Sequence, residues 1–136
     1  MACDLVPDPL GTTYHPGMFD SRQACVQALQ DVAVALKEAQ RALRVAEVAS
    51  GRALRSKTGG VTSAAVLRTA PVAPYRLDLD AALTKLERAR HVVVLATFAV
   101  ALEDGMTIGE LSRNHGFSRQ LGSRYAKEAK EWAETQ

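Results

Sequence analysis

Thr107-Ile-Gly-Glu-Leu-Ser-Arg-Asn-His-Gly116-Phe-Ser-Arg-Gln-Leu-Gly-Ser-Arg-Tyr125 is the stretch whose reading decides the fold. It begins with the T-x-x-E spacing of a capping box, in which Thr107 accepts from the backbone near Glu110 and Glu110 reaches back. Ile108 and Leu111 then point inward, and Ser112 is small enough for another helix to cross close by. Gly116 stands where a turn needs a left-handed backbone, which costs glycine little. Phe117 follows as an apolar plug and Ser118 is a good N-cap for a second helix. Leu121, Tyr125, Ala129 and Trp132 recur at helical spacing, so this second helix is expected to run to about Glu134. Helix, glycine turn and helix thus follow from local chemistry alone.

The outward face of the second helix carries Arg119, Gln120, Ser123, Arg124 and Lys127. Arg and Gln can read guanine and adenine edges bidentately, while Lys and Ser suit phosphate oxygens. With these residues in place, the run from Ala99 to Tyr125 resembles the helix-turn-helix of many bacterial regulators and sigma-factor region 4-like domains. It is most similar to the tails of small Ala/Arg-rich proteins of actinobacteria and their phages, over about a fifth to a quarter of the chain. The resemblance implies that Ser118, Arg119, Gln120, Ser123 and Arg124 lie at base- and phosphate-contacting positions. Adding Thr107 and Lys127 gives the full candidate DNA-contacting set. Two residues depart from the pattern: His115 replaces an apolar residue, and Gly122 replaces a core valine at a helix-propensity cost of about 1 kcal/mol relative to Ala.

Charge tempers this reading. The chain is only +2 overall, and residues 105–136 hold five Lys/Arg (113, 119, 124, 127, 130) against four Glu (110, 128, 131, 134). DNA-binding modules usually display a basic patch, because phosphate neutralisation supplies much of their affinity. The segment 21–60 adds seven Lys/Arg against three acids, so two copies acting together would supply a wider basic surface. A homodimer is therefore expected.

Upstream, heptad rows dominate. Asp20 is placed to open a helix, with Gln23 completing a capping box and Phe19 stapling onto Ala24. The helix is expected to reach about Arg55. Leu29, Leu36 and Leu43 repeat every seven residues, as do Cys25, Val32, Ala39, Ala46 and Ala53, with Ala28, Ala35, Ala42 and Ala49 beside them. Such spacing describes a coiled-coil-like seam. A second helix, about 78–103, offers Leu79, Leu86, Val93 and Val100 with Ala82, Ala89 and Ala96. Asp78 and Asp80 are expected to cap it. The two helices can pair within one chain, with a second copy, or both at once in a four-helix arrangement. The last is favoured here, because the apolar run after His91 is hydrophobic all round. Between the helices, Gly59-Gly60, Pro71 and Pro74 rule out one continuous helix. Val61 to Ala70 suits a short helix or a strand.

The fold class expected is all-α: a long antiparallel helical hairpin followed by a C-terminal helix-turn-helix. The expected organisation is an irregular arm over 1–18, rich in Pro and Gly, then a hairpin and dimerisation scaffold over 19–104 with a linker at 57–77, then the helix-turn-helix over 105–136. No enzyme chemistry is expected. His15, His91 and His115 are far apart, Cys3 and Cys25 fit neither a disulfide framework nor a zinc pattern, and Gly59-Gly60 lacks a following Lys-Ser/Thr. No cofactor or metal is expected. The beginning of the chain lacks a leader-like pattern, and Val92–Leu102 is about half the ~20 residues that span a bilayer, so no membrane role and a cytoplasmic location are expected. The function that follows is a dimeric regulator binding double-stranded DNA through the helix 118–134. The alternative is a protein-binding adaptor or inhibitor, of phage type, with a repurposed helix-turn-helix and a protein partner.

Overall fold

The computed structural model describes residues 20–69 and 72–136, and those residues are all-helical: α1 (Ser21–Thr58), α2 (Ser63–Thr69), α3 (Ala73–Glu103), α4 (Ile108–His115) and α5 (Arg119–Glu134). The arm 1–18 and the staple from Phe19 lie outside the described residues.

Asp20 caps α1, its carboxylate accepting from the N–H groups of Arg22 and Gln23. The helix runs one turn past Arg55 and ends at Gly59, with Arg55 and Lys57 in a last turn where cations complement the dipole. Within the expected linker, Ser63–Thr69 forms a helix, its N-terminus capped by the Thr62 hydroxyl. α3 begins at Ala73, five residues earlier than expected, because Pro74 falls in the first turn. There proline's missing N–H has no helical partner to lose and its φ is already helical. Asp78 and Asp80 are consequently interior residues of α3 and cap nothing; Asp80 lies 3.7 Å from Arg76 one turn back.

α1 and α3 pack along most of their length in opposite directions. Ser21 Oγ donates to Glu103, Arg22 pairs with Asp104 at 3.0 Å, and midway Lys85 meets Glu38 at 2.8 Å. The faces in contact are alanine-rich: Ala28, Ala35 and Ala39 are buried on α1, and Ala96 on α3. Small side chains let two backbones approach to the short end of the usual 8–10 Å range. The leucine row is not in that seam. Leu29, Leu36 and Leu43 remain 51%, 45% and 49% exposed. Leu36 precedes Glu38, and Leu83 precedes Lys85, by two residues, about 200° around each helix. The Glu38–Lys85 pair therefore closes one flank of the α1/α3 pair, and the leucines, with Leu83 at 42% exposure, occupy the other.

The apolar run after His91 has a different explanation from the one expected. Val94, Leu95, Phe98 and Ala99 form one core with Leu111, Ala126 and Ala129, bordered by Leu102, Met106, Phe117, Tyr125 and Trp132. One side of α3 is covered by α1 and the other by α4 and α5 of the same chain. That run does not call for a second subunit. Among the described residues, no helix is long and apolar enough to cross a membrane.

Candidate nucleic-acid interface

α4 begins with the capping box its sequence announces. Thr107 Oγ1 accepts from the Glu110 N–H at 3.2 Å, and the Glu110 carboxylate accepts from the Thr107 N–H at 2.8 Å and from its hydroxyl at 3.1 Å. The Thr107 backbone and hydroxyl donors hold the Glu110 carboxyl below its ordinary pKa. Thr107 is a candidate DNA contact whose hydroxyl is already committed to this cap. Replacing it with Ala is expected to destabilise the chain by about 1 kcal/mol. The sign of the pH effect follows from the lowered pKa. Stability from Glu110 is fully present above its unfolded pKa and is lost as pH falls through the folded one. Glu110→Gln, which keeps the back-bond without a titrating group, should flatten the acid-side loss of amide protection in α4, as hydrogen exchange against pH would show.

Gly116 adopts φ 68°, ψ 26°, the left-handed conformation that ends α4. Phe117 then donates its N–H back to Ser112 O at 2.8 Å, and Ser118 accepts from the Leu121 N–H to start α5. The helices cross where Ser112 and Gly122 are both buried. Ser112 turns its hydroxyl onto the Ile108 carbonyl at 2.7 Å, and a Cβ on Gly122 would overlap that hydroxyl oxygen. Gly122 is thus the residue that lets α5 seat on α4.

His115, the other departure, is the last residue of α4 and is not a solvated turn residue. It is instead half-buried in an aromatic cluster, 5.1 Å from Phe98 and 5.3 Å from Phe117 between ring centroids. Its Nδ1 lies 3.0 Å from Leu111 O. A carbonyl can only accept, so Nδ1 carries the proton, and with one polar atom satisfied the ring fills an apolar position. His91 packs at the α3–α5 interface, with Nε2 3.4 Å from Glu128 and its ring 5.7 Å from Tyr125.

The opposite face of α5 is open. Arg119, Gln120, Ser123, Arg124 and Lys127 are all exposed and fall within an arc of about 140° at 3.6 residues per turn. Ser118 is exposed at the head of that arc, its oxygen engaged in the cap. Thr107, at the start of α4, is not part of this face. Lys130 continues the face. The acids are less remote than their numbering suggests. Glu128 lies 3.8 Å from Arg124 and also faces His91, so the guanidinium at this edge is partly offset.

One feature of the region escaped the sequence. A groove of about 830 Å³ runs between α3, α4 and α5, floored by Ala99, Leu102, Ile108 and Ala126, with Ser123, Lys127 and Lys130 on its α5 side. Chemically, the region offers hydrogen-bonding and cationic groups on a rigid helix, clamped from behind by the Phe98–Leu111–Ala129 core. It presents no converging nucleophile and base. Compared with known proteins, the chain matches no family model, no curated protein and no solved structure.

Proposed function

We propose that the chain is a dimeric DNA-binding protein and transcriptional regulator: a long antiparallel hairpin, α1 and α3, carrying α4 and α5 as a helix-turn-helix whose second helix enters the major groove. The observation that carries this reading is the open face of α5. Arg119, Gln120, Ser123, Arg124 and Lys127 project from it together, immediately after a capped turn, while the opposite face is buried. Arg119 and Gln120 occupy the first turn of α5, the part of a recognition helix that reaches base edges. Ser123 and Lys127 supply phosphate contacts. The leucine flank of α1 supplies the dimer contact, and two recognition helices on one twofold axis would select half-sites about 34 Å apart or a multiple of it. Its place would be the cytoplasm, where such a site finds duplex DNA.

The test is fluorescence anisotropy with duplex DNA at low and moderate salt. Binding should weaken steeply with salt, by a slope of about −0.9 per neutralised phosphate. Arg119→Ala with Arg124→Ala should lower affinity about 30-fold or more, at about 1–3 kcal/mol for each base-reading side chain, with helical content unchanged because both are exposed. Absence of binding at low salt by the folded wild type would end this reading. A second reading, a protein-binding adaptor or inhibitor of phage type, is favoured by one observation. The leucine flank is apolar and uncovered, whereas the basic face is interrupted by Glu128 and Glu131.

A further inference from the structure

One carboxylate is shared across the α3–α5 interface. Glu128 Oε2 lies 3.4 Å from His91 Nε2 on α3, and Glu128 Oε1 lies 3.8 Å from Arg124 Nε on its own helix. The two neighbours differ in exposure. The His91 and Glu128 side chains are 43% and 37% exposed, whereas Arg124 is 68% exposed. Water and salt screen the more exposed partner more, so a charged imidazole holds this carboxylate better than the guanidinium does. The other charged groups nearby are turned elsewhere. On α3, Glu87 accepts from Arg90 at 2.6 and 3.1 Å, and those hydrogen bonds hold its carboxyl below its ordinary pKa. Arg88 lines a hollow on the α1 side with Asp31. On α5, the Tyr125 ring lies 5.7 Å from the imidazole, and Glu131 is exposed three residues past Glu128. On α4, His115 faces Phe98 and Phe117.

Histidine is the side chain whose charge ordinarily changes between about pH 5 and 8. We propose that His91 is a pH-dependent gate on Arg124. Neutral His91 leaves Glu128 to offset the guanidinium. Protonated His91 draws the carboxylate toward α3, ties α5 to the hairpin and frees Arg124 on the open face of α5. The proton comes from solvent, which reaches the half-exposed imidazole directly. The device thereby connects a scaffold helix to the helix that carries the candidate contacts. Its consequence for DNA, tighter binding as pH falls, rests on the DNA reading; the change of partner at Glu128 does not.

The experiment compares full-length wild type, His91→Gln and Glu128→Gln at about pH 5.5 and about pH 7.5, either side of the histidine range, with circular dichroism showing equal helicity. The other histidines are present in all three chains, so their titration cancels. An ion pair of this exposure is worth up to about fivefold in an equilibrium constant. By NMR hydrogen exchange without DNA, amide protection over Tyr125–Trp132 should rise about two- to fivefold more on acidification in wild type than in either variant. At the lower pH the Arg124 Nε–H should exchange about two- to fivefold faster in wild type than in His91→Gln, a difference that vanishes at the higher pH. Equal pH responses in the three chains, or an Arg124 Nε–H indifferent to residue 91, overturn the gate. Duplex DNA is added only afterwards. Binding that tightens on acidification more in wild type than in His91→Gln supports the coupling to the α5 face, and an equal response in both removes it. A wild type that shows both exchange effects and binds no DNA ends the DNA reading and leaves the gate in place.

Discussion

Replacing Gly122 with valine is expected to detach α5 from α4 and unfold the C-terminal quarter of the chain before the rest. A Cβ at this position would overlap Ser112 Oγ and lie 3.0 Å from Ser112 Cβ, and valine adds two further methyl groups. Rotating the serine hydroxyl away would break its bond to the Ile108 carbonyl and leave the Cβ–Cβ contact in place. Overpacking at a buried crossing costs typically 1–3 kcal/mol and more where backbone must move, whereas leaving glycine recovers only about 1 kcal/mol of helix propensity, less for a β-branched residue. A net loss of about 3 kcal/mol is expected for Gly122→Val, and a smaller one for Gly122→Ala. Ser112→Gly removes both opposing atoms, so the pair Gly122→Ala with Ser112→Gly should show a favourable coupling of about 1–2 kcal/mol in a double-mutant cycle. Trp132, the single tryptophan, lies on α5 at the edge of the same core and reports the transition in a urea titration. A Gly122→Val chain with an unchanged fluorescence midpoint would show that the crossing tolerates bulk and that Ser112 and Gly122 are not a matched pair.

That pair shows how much was legible in the sequence and what was not. Thr107, Glu110, Gly116 and Ser118 act on backbone groups a few residues away, so their roles follow from spacing and the structure carries each of them. Ser112 was readable as small enough for a close crossing, yet Gly122 read as a defect, because its partner lies ten residues away and is brought near only by the turn. His115 is a related case. Its polarity suggests solvent, and only the carbonyl of Leu111 in hydrogen-bond range makes an aromatic interior position affordable. The heptads revealed that α1 carries rows of leucine and rows of alanine, but not which row faces α3. Neighbouring rows differ by a single residue, about 100° around the helix, and either choice satisfies periodicity. Pro74 suggests a boundary in the sequence, although proline within a first turn permits a helix to start before it. The groove left no trace in the sequence, since three helices build it from residues as far apart as Ala99 and Ala133.

Substituting Leu29, Leu36 and Leu43 together with glutamate is expected to turn a dimer into a monomer while leaving the chain folded. Each side chain is about half exposed within the single chain, and the α1/α3 seam is made by alanines, so nothing in that seam depends on them. If a second copy covers the exposed halves, each leucine contributes roughly 0.7–1.5 kcal/mol, or about 4–9 kcal/mol for the six of a twofold interface. That corresponds to a loss of a thousandfold or more in dimer affinity, and the introduced charges deepen it. Sedimentation equilibrium gives the oligomeric state, and circular dichroism shows whether helicity is kept. Ala35→Leu supplies the contrast. Ala35 is buried in the seam, so the added bulk should lower the unfolding midpoint instead of acting through the leucine flank. Salt would separate the two surfaces under the proposed function: apolar association through the leucine flank should be insensitive to it or strengthened, whereas contacts from the α5 face to phosphate should weaken steeply. The leucine variant should therefore bind DNA with a smaller salt slope than wild type, having lost the second set of phosphate contacts, while Arg119→Ala with Arg124→Ala remains a dimer. A wild-type chain that sediments as a monomer at micromolar concentration would remove the self-pairing role from this flank. The uncovered leucines would then be the surface offered to a different protein, and the adaptor reading would take precedence.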